Sequence, residues 1–233
     1  MKIKILGTAA GDQIPSPYCN CSTCAHARKH RGRNHRKRCS YFINDNLLVD
    51  MGPDLLAACA IHDVDLMNVK YALVTHSHRD HFFVQNLTNR AARAAELPPL
   101  TFVAPPSVMT LLSRSGASDT SIGLKRRPIL PYDNVDLEPY QIGTVKATHI
   151  PGIGDAVNYI IDDGRKKVLI ASDTAVYKDE VWPHLENLRL DQLIIECTMG
   201  TDPGKNKPDT EKVHLNIEGV KKMLAKMRAI GAV

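Results

Sequence analysis

Three features of the sequence predict an α/β fold. Short apolar runs such as Tyr71-Ala72-Leu73-Val74-Thr75 and Lys167-Val168-Leu169-Ile170-Ala171 read as buried strands. Helical segments alternate with them, ending in a helix expected over Ile217 to Ile230. The 233 residues are enough to bury one substantial core, so residues 1–233 are read as a single domain.

Composition narrows the class. With 43% hydrophobic and 24% charged residues the chain is an ordinary globular protein, and it holds no apolar run long enough to span a bilayer. Met1-Lys2-Ile3-Lys4-Ile5-Leu6-Gly7 reads as a first strand and not as a signal peptide, which predicts a cytoplasmic protein with no membrane partner. The formal net charge of +5 is unevenly spread: Arg28 to Arg38 contains seven Lys or Arg and no acid.

After the strand at residues 2–6, Gly7 to Asp12 is a glycine-bounded turn. It lacks the G-K-[ST] ending of a P-loop, so a tight turn is the expectation. Cys19-Asn20-Cys21-Ser22-Thr23-Cys24 follows. Its spacing brings three thiolates to one Zn2+, defining a Cys-rich zinc insert over about residues 17–39. Nothing in the spacing selects the fourth ligand from His26, His30, His35, Cys39 or a distant residue. The other cysteines, Cys39, Cys59 and Cys197, read as small buried residues. The basic stretch from Ala27 to Arg38 has no apolar periodicity and reads as a loop. It serves either as a solvated face or, through Arg36 and Arg38, to steer an anionic substrate. Without interleaved aromatics it does not favour nucleic acid.

Tyr41-Phe42-Ile43 and Leu47-Leu48-Val49 form a hairpin around Asn44-Asp45-Asn46, closed by Asp50. Asp50 or Asp54 is placed to cap the helix that begins near Leu55. The strand at 71–75 then runs into His76-Ser77-His78-Arg79-Asp80-His81. Imidazole and carboxylate donors crowded on one strand-to-helix turn suit Zn2+, Mn2+ or Fe2+, in a paired arrangement because His76 and His78 can face one way and Asp80 and His81 the other. A helix is expected from residue 82 to 96, beginning at His81-Phe82-Phe83. A strand follows at 101–104, then a helix after Pro105-Pro106. Residues 113–140 are polar and show no metal-like cluster. Val157–Ile161 and Lys167–Ala171 make a hairpin with an Asp-Gly turn, and Leu193–Cys197 reads as a further buried strand. Gly200 to Asp209 has the Gly, Pro and Lys content of a lid-like loop.

Thr75 through His81 matches T-H-x-H-x-D-H, and in this the sequence resembles the metallo-β-lactamase fold family. The resemblance implies a four-layer αβ/βα sandwich with metals held at one edge. It also implies further ligands at later strand ends, which in this sequence are His149 and Asp173. His76, His78 and His149 would hold one metal, Asp80 and His81 the other, and Asp173 would bridge them. Asp50 would orient a ligand imidazole from behind.

The C-x-C-x-x-C insert resembles the branch containing the cyclic-phosphate phosphodiesterase of carbon-phosphorus lyase pathways. That branch implies two divalent metals (Zn2+ or Mn2+), one structural Zn2+ on Cys19, Cys21 and Cys24, and a small anionic phosphodiester, cyclic or nucleotide-like, as substrate. Hydrolysis would use a hydroxide activated by both metals together with Asp80, and His214 would act as general acid. The alternatives are tRNA 3′-processing, thioester or lactam hydrolysis, and a zinc-binding protein without activity. A homodimer is among the assemblies left open. In the family a T-H-x-x-H pair at the end of a last strand completes both metal sites. This sequence stops at Ala232-Val233 before it, so the natural chain is expected to run on, and the chain as given to bind its second metal weakly.

Overall fold

A computed structural model describes residues 1–201 and 213–233. The lid-like loop expected over 200–209 therefore falls, from residue 202 on, outside the described residues. The chain divides into two compact units: residues 2–104 with 108–128, and Met1 with 105–107 and 129–233.

The first unit is built on a six-stranded sheet. Its strands, in spatial and chain order, are β1 (Ile3–Gly7), β2 (Ser40–Ile43), β3 (Leu47–Val49), β4 (Tyr71–Leu73), β5 (Leu100–Ala104) and β6 (Leu124–Pro128). β1, β2 and β3 pair antiparallel, whereas β3 to β6 run parallel. The hairpin between β2 and β3 turns through Asn44 and Asp45 at φ 45° and 62°, a left-handed conformation that Asn and Asp tolerate. Parallel pairing requires crossovers, and helices supply them: α2 (Leu55–Ile61), α3 (Gln85–Ala91), α4 (Pro106–Arg114) and α5 (Asp119–Ile122). Leu6, Phe42, Leu48, Leu87, Phe102 and Leu112 form the core of this unit.

The second unit carries a five-stranded sheet in the order β11-β10-β9-β8-β7. The strands are β7 (Asn134–Leu137), β8 (Tyr140–Lys146), β9 (Val157–Asp162), β10 (Lys167–Ala171) and β11 (Gln192–Ile195). Pairing is antiparallel except between β10 and β11. The long helix α6 (Ile217–Ala229) starts at Asn216, whose side chain accepts from the Gly219 amide. It packs Met223 and Met227 with Leu169, Trp182 and Leu185. Near the end of the chain, the Leu190 amide donates to the Ala232 carbonyl at 2.7 Å.

Several expectations are corrected. The basic stretch is not wholly loop, because α1 (Ser22–His30) runs through its first residues. Cys21 caps that helix through its sulfur, and Arg28, Lys29 and His30 fall in the last turn, where cations meet the negative end of the helix dipole. The helix after the metal turn begins at Gln85 and not at His81, since residues 81–83 exchange backbone hydrogen bonds with Met51. Of the three cysteines read as buried, Cys59 is buried, Cys39 is partly exposed and Cys197 is exposed. β11 is only half-buried, as suits an edge strand. Among the described residues no helix is long and apolar enough to cross a membrane.

Candidate metal centre

In both units the polar residues of interest lie just beyond the carboxyl ends of strands, where apolar burial stops and side chains become available for chemistry. In the first unit Asp50 follows β3 at φ 59° and is fully buried. Its amide donates to the Leu73 carbonyl at 2.8 Å, which locks the carboxylate beside the turn after β4. There it accepts from the Thr75 amide at 2.8 Å, from the Thr75 hydroxyl at 3.0 Å and from His81 Nδ1 at 2.7 Å. Asp54, the alternative cap, starts α2 without a side-chain capping bond. Its carboxylate instead binds Arg38 at 3.0 Å, so Arg38 is tied to an acid, while its Nε donates to the Gly11 carbonyl.

The seven-residue turn folds its imidazoles together. The His76 ring lies 4.7 Å from that of His78 and 4.2 Å from that of His81. The backbone under Asp80 and His81 is held closely. Met51 donates to the His81 carbonyl at 2.8 Å, and a Cβ on Gly52 would fall 1.8 Å from the Asp80 carbonyl oxygen. Only glycine fits that position.

The chemistry of the donor set tests whether metal fits. His81 gives its Nδ1 proton to Asp50, so Nε2 carries a lone pair, and that lone pair lies 3.3 Å from Asp80 Oδ2. Two electron-rich atoms at this separation call for a cation. The second unit repeats the arrangement. His149, three residues past β8, donates Nδ1 to the Val213 carbonyl at 2.9 Å, and its Nε2 faces Asp173 Oδ2 at 3.6 Å. Asp173, just past β10, adopts φ 46°, a left-handed backbone that is uncommon outside glycine. A hydrogen bond at Nδ1 with Nε2 turned toward a carboxylate is how ligand imidazoles are usually oriented. Both pairs fit a divalent metal.

The second unit also brings together a residue that the sequence reading missed. Glu196, immediately after β11, accepts from His214 Nδ1 at 2.9 Å and from the Thr174 amide at 2.6 Å. Ligand atoms of Asp173, Glu196 and His214 lie within 4.8 Å of one another, and the His214 ring stands 4.9 Å from that of His149. A signal was present: an acid ends this apolar strand, as Asp50 ends β3.

The sulfurs of Cys19, Cys21 and Cys24 likewise lie within 4.8 Å of one another. The Cys24 amide, and then the Cys19 and Cys24 thiols, hold the Cys21 thiol down to about 7, so a large share is thiolate near neutrality, the form a metal binds. Among the described residues no histidine joins this group. His26 and His30 stack on each other at 4.2 Å instead. Arg36, the second residue expected to steer substrate, is exposed.

Comparison with known proteins gives a consistent picture. Zinc-bound PqqB from Methylobacterium extorquens superimposes with a TM-score of 0.74 at 18% identity, covering 99% of this chain and 86% of that one. A diphosphatase from the PhnP family gives 0.75 at 16% identity, covering 97% and 82%. The short form of human tRNase Z gives 0.69 at 16% identity, covering 98% and 89%. At such identities the likeness is one of fold. The family model described as Beta-lactamase superfamily domain matches residues 45–233, from the β2–β3 hairpin through α6 and including His76, His78, Asp80, His81, His149, Asp173 and His214. The chain therefore belongs to the β-lactamase superfamily and has the metallo-β-lactamase fold.

Proposed function

We propose that this protein is a metal-dependent phosphodiesterase. The observation that carries the reading is the His214–Glu196 pair, a proton-bearing imidazole fixed by a carboxylate among metal-type donors. Thioester hydrolysis has less need of such a group, because a thiolate departs more readily than an alkoxide. Two of the fold's relatives, a PhnP-family diphosphatase and tRNase Z, act on phosphate compounds by name, which supports the same reading.

The ligand assignment rests on motif order: His76, His78 and His149 for one divalent metal, Asp80 and His81 for the other, with Asp173 shared. Such metals, when bound, bring the pKa of water toward neutrality and offset charge on phosphoryl oxygens. The chain's own residues do the rest. Asp50 fixes the His81 tautomer and ring plane, and the Val213 carbonyl does so for His149. Glu196 holds the His214 ring by Nδ1 and favours its doubly protonated form, in which Nε2 also carries a proton that can pass to the departing oxygen.

The test is hydrolysis of bis-p-nitrophenyl phosphate and a panel of cyclic and linear diesters by metal-stripped protein reloaded with Zn2+ or Mn2+. Turnover that is lost on chelation and restored by metal is expected. Hydrolysis of thioesters or lactams with no diester accepted would overturn the proposal.

A further inference from the structure

Asn158 lies in β9 with no solvent exposure, an uncommon place for an amide side chain. Its polar atoms are all engaged. Nδ2 donates to the Ser172 carbonyl at 2.6 Å and to the Val157 carbonyl at 3.4 Å, while Oδ1 accepts from the Tyr177 hydroxyl at 2.7 Å. Tyr177 decides which way this amide faces. Packed with Leu169, Trp182 and Met223, it is 3% exposed, and burial pushes its hydroxyl well above the ordinary phenol range, so it keeps its proton and donates. A donor at one end of the amide selects the oxygen, which turns Nδ2 toward Ser172. The ring is fixed in turn, because the Tyr177 amide donates to Met223 Sδ at 3.4 Å and the ring meets that of Trp182 edge-on at 5.8 Å.

The Ser172 carbonyl belongs to the peptide that precedes Asp173. β9 and β10 pair from Lys167 opposite Asp162 to Ile170 opposite Tyr159, so Ser172 lies past their ladder. The Asn158 side chain takes its carbonyl there. On the other side of Asp173, the Thr174 amide donates to Glu196 Oε1 at 2.6 Å. Peptide groups are planar, so these two bonds fix the planes on both sides of the Asp173 Cα. Between fixed planes φ and ψ are fixed as well, and φ is 46°, a conformation an aspartate adopts uncommonly. The direction of the Asp173 side chain follows from them, and its Oδ2 faces His149 Nε2 at 3.6 Å.

We propose that Asn158 and Tyr177 are positioning residues of the metal centre: by holding the peptide before Asp173, they aim its carboxylate at the ion that His149 also binds. This rests on the metal-centre reading given above and not on the choice of substrate. Neither residue carries a donor for the metal itself in this scheme. Their effect passes through the backbone of Asp173.

The experiment titrates metal-stripped protein with Mn2+ and counts free Mn2+ by its electron paramagnetic resonance. Mn2+ suits carboxylate donors and not thiolates, so the count reads the His/Asp centre apart from the cysteine cluster. Asn158→Ala is expected to weaken Mn2+ binding by about tenfold or more, as loss of a residue that orients a ligand does. Tyr177→Phe keeps the buried ring and removes only the hydroxyl. It should weaken binding by about threefold or more, the scale of one neutral hydrogen bond. Met227→Ala opens a cavity in the same core and should lower the melting temperature at least as much as Tyr177→Phe, yet leave Mn2+ binding unchanged. Wild-type affinity in Tyr177→Phe, or an equal loss in Met227→Ala, overturns the proposal, and Tyr177→Phe decides it alone if Asn158→Ala does not fold. A wild type that binds no Mn2+ removes the metal centre and the proposal together, whereas equal binding by wild type and Tyr177→Phe removes the proposal and leaves the centre standing.

Discussion

Asp50 and His81 lie 31 positions apart in sequence and meet at 2.7 Å with almost no solvent exposure. This contact makes His81 a defined donor, because the proton held at Nδ1 leaves Nε2 to bind metal. Asp50→Ala is expected to weaken metal binding by about 10–100-fold. Leaving the His81 N–H unsatisfied in the interior should also cost about 1–3 kcal/mol of stability. Metal titration and thermal unfolding check both effects, and unchanged affinity would separate Asp50 from the metal centre.

Asp80→Ala and His78→Ala are each expected to abolish diester turnover and to lower metal content, with the far-ultraviolet circular dichroism unchanged. Both side chains project from a turn, and His78 is exposed, so their removal leaves the core intact. Near-wild-type turnover in either variant contradicts the ligand assignment.

Cys21→Ser is expected to lose one equivalent of zinc and to lower the melting temperature, while reducing turnover less than Asp80→Ala does. A closed zinc site contributes folding free energy directly. Elemental analysis reads the zinc count, and an unchanged count removes the structural site.

His214→Ala is expected to slow diesters with alkoxide leaving groups by about a hundredfold or more while affecting p-nitrophenyl esters far less, because only the poorer leaving group needs a proton. Glu196→Gln should act in the same direction with a smaller effect, since Glu196 positions the ring. Equal losses on both esters would assign His214 to binding or packing.

Gly52→Ala is expected to destabilise the protein by about 3 kcal/mol, at the upper end of overpacking costs, and to disturb metal binding with it. The added Cβ would collide with the Asp80 backbone, which has no side-chain freedom with which to yield. Wild-type stability and metal affinity would show that the turn can move.

The sequence by itself determined what is encoded locally. Spacing packs His76, His78, Asp80 and His81 into one turn and three cysteines into another. The β2–β3 hairpin and α6 likewise follow from patterns a few residues long. Helix α1 was not legible, since it buries only Cys24 and Ala27 and is started by a sulfur cap, so no apolar stripe marks it. The tertiary structure alone decided which residues became partners. Asp50 reaches His81 because β3 and β4 lie side by side in register, with Val49 opposite Leu73. Glu196 reaches His214 across 18 residues, and His149 reaches Val213 across 64. Such contacts depend on strand register and chain return, and neither leaves a mark in the few residues around each partner.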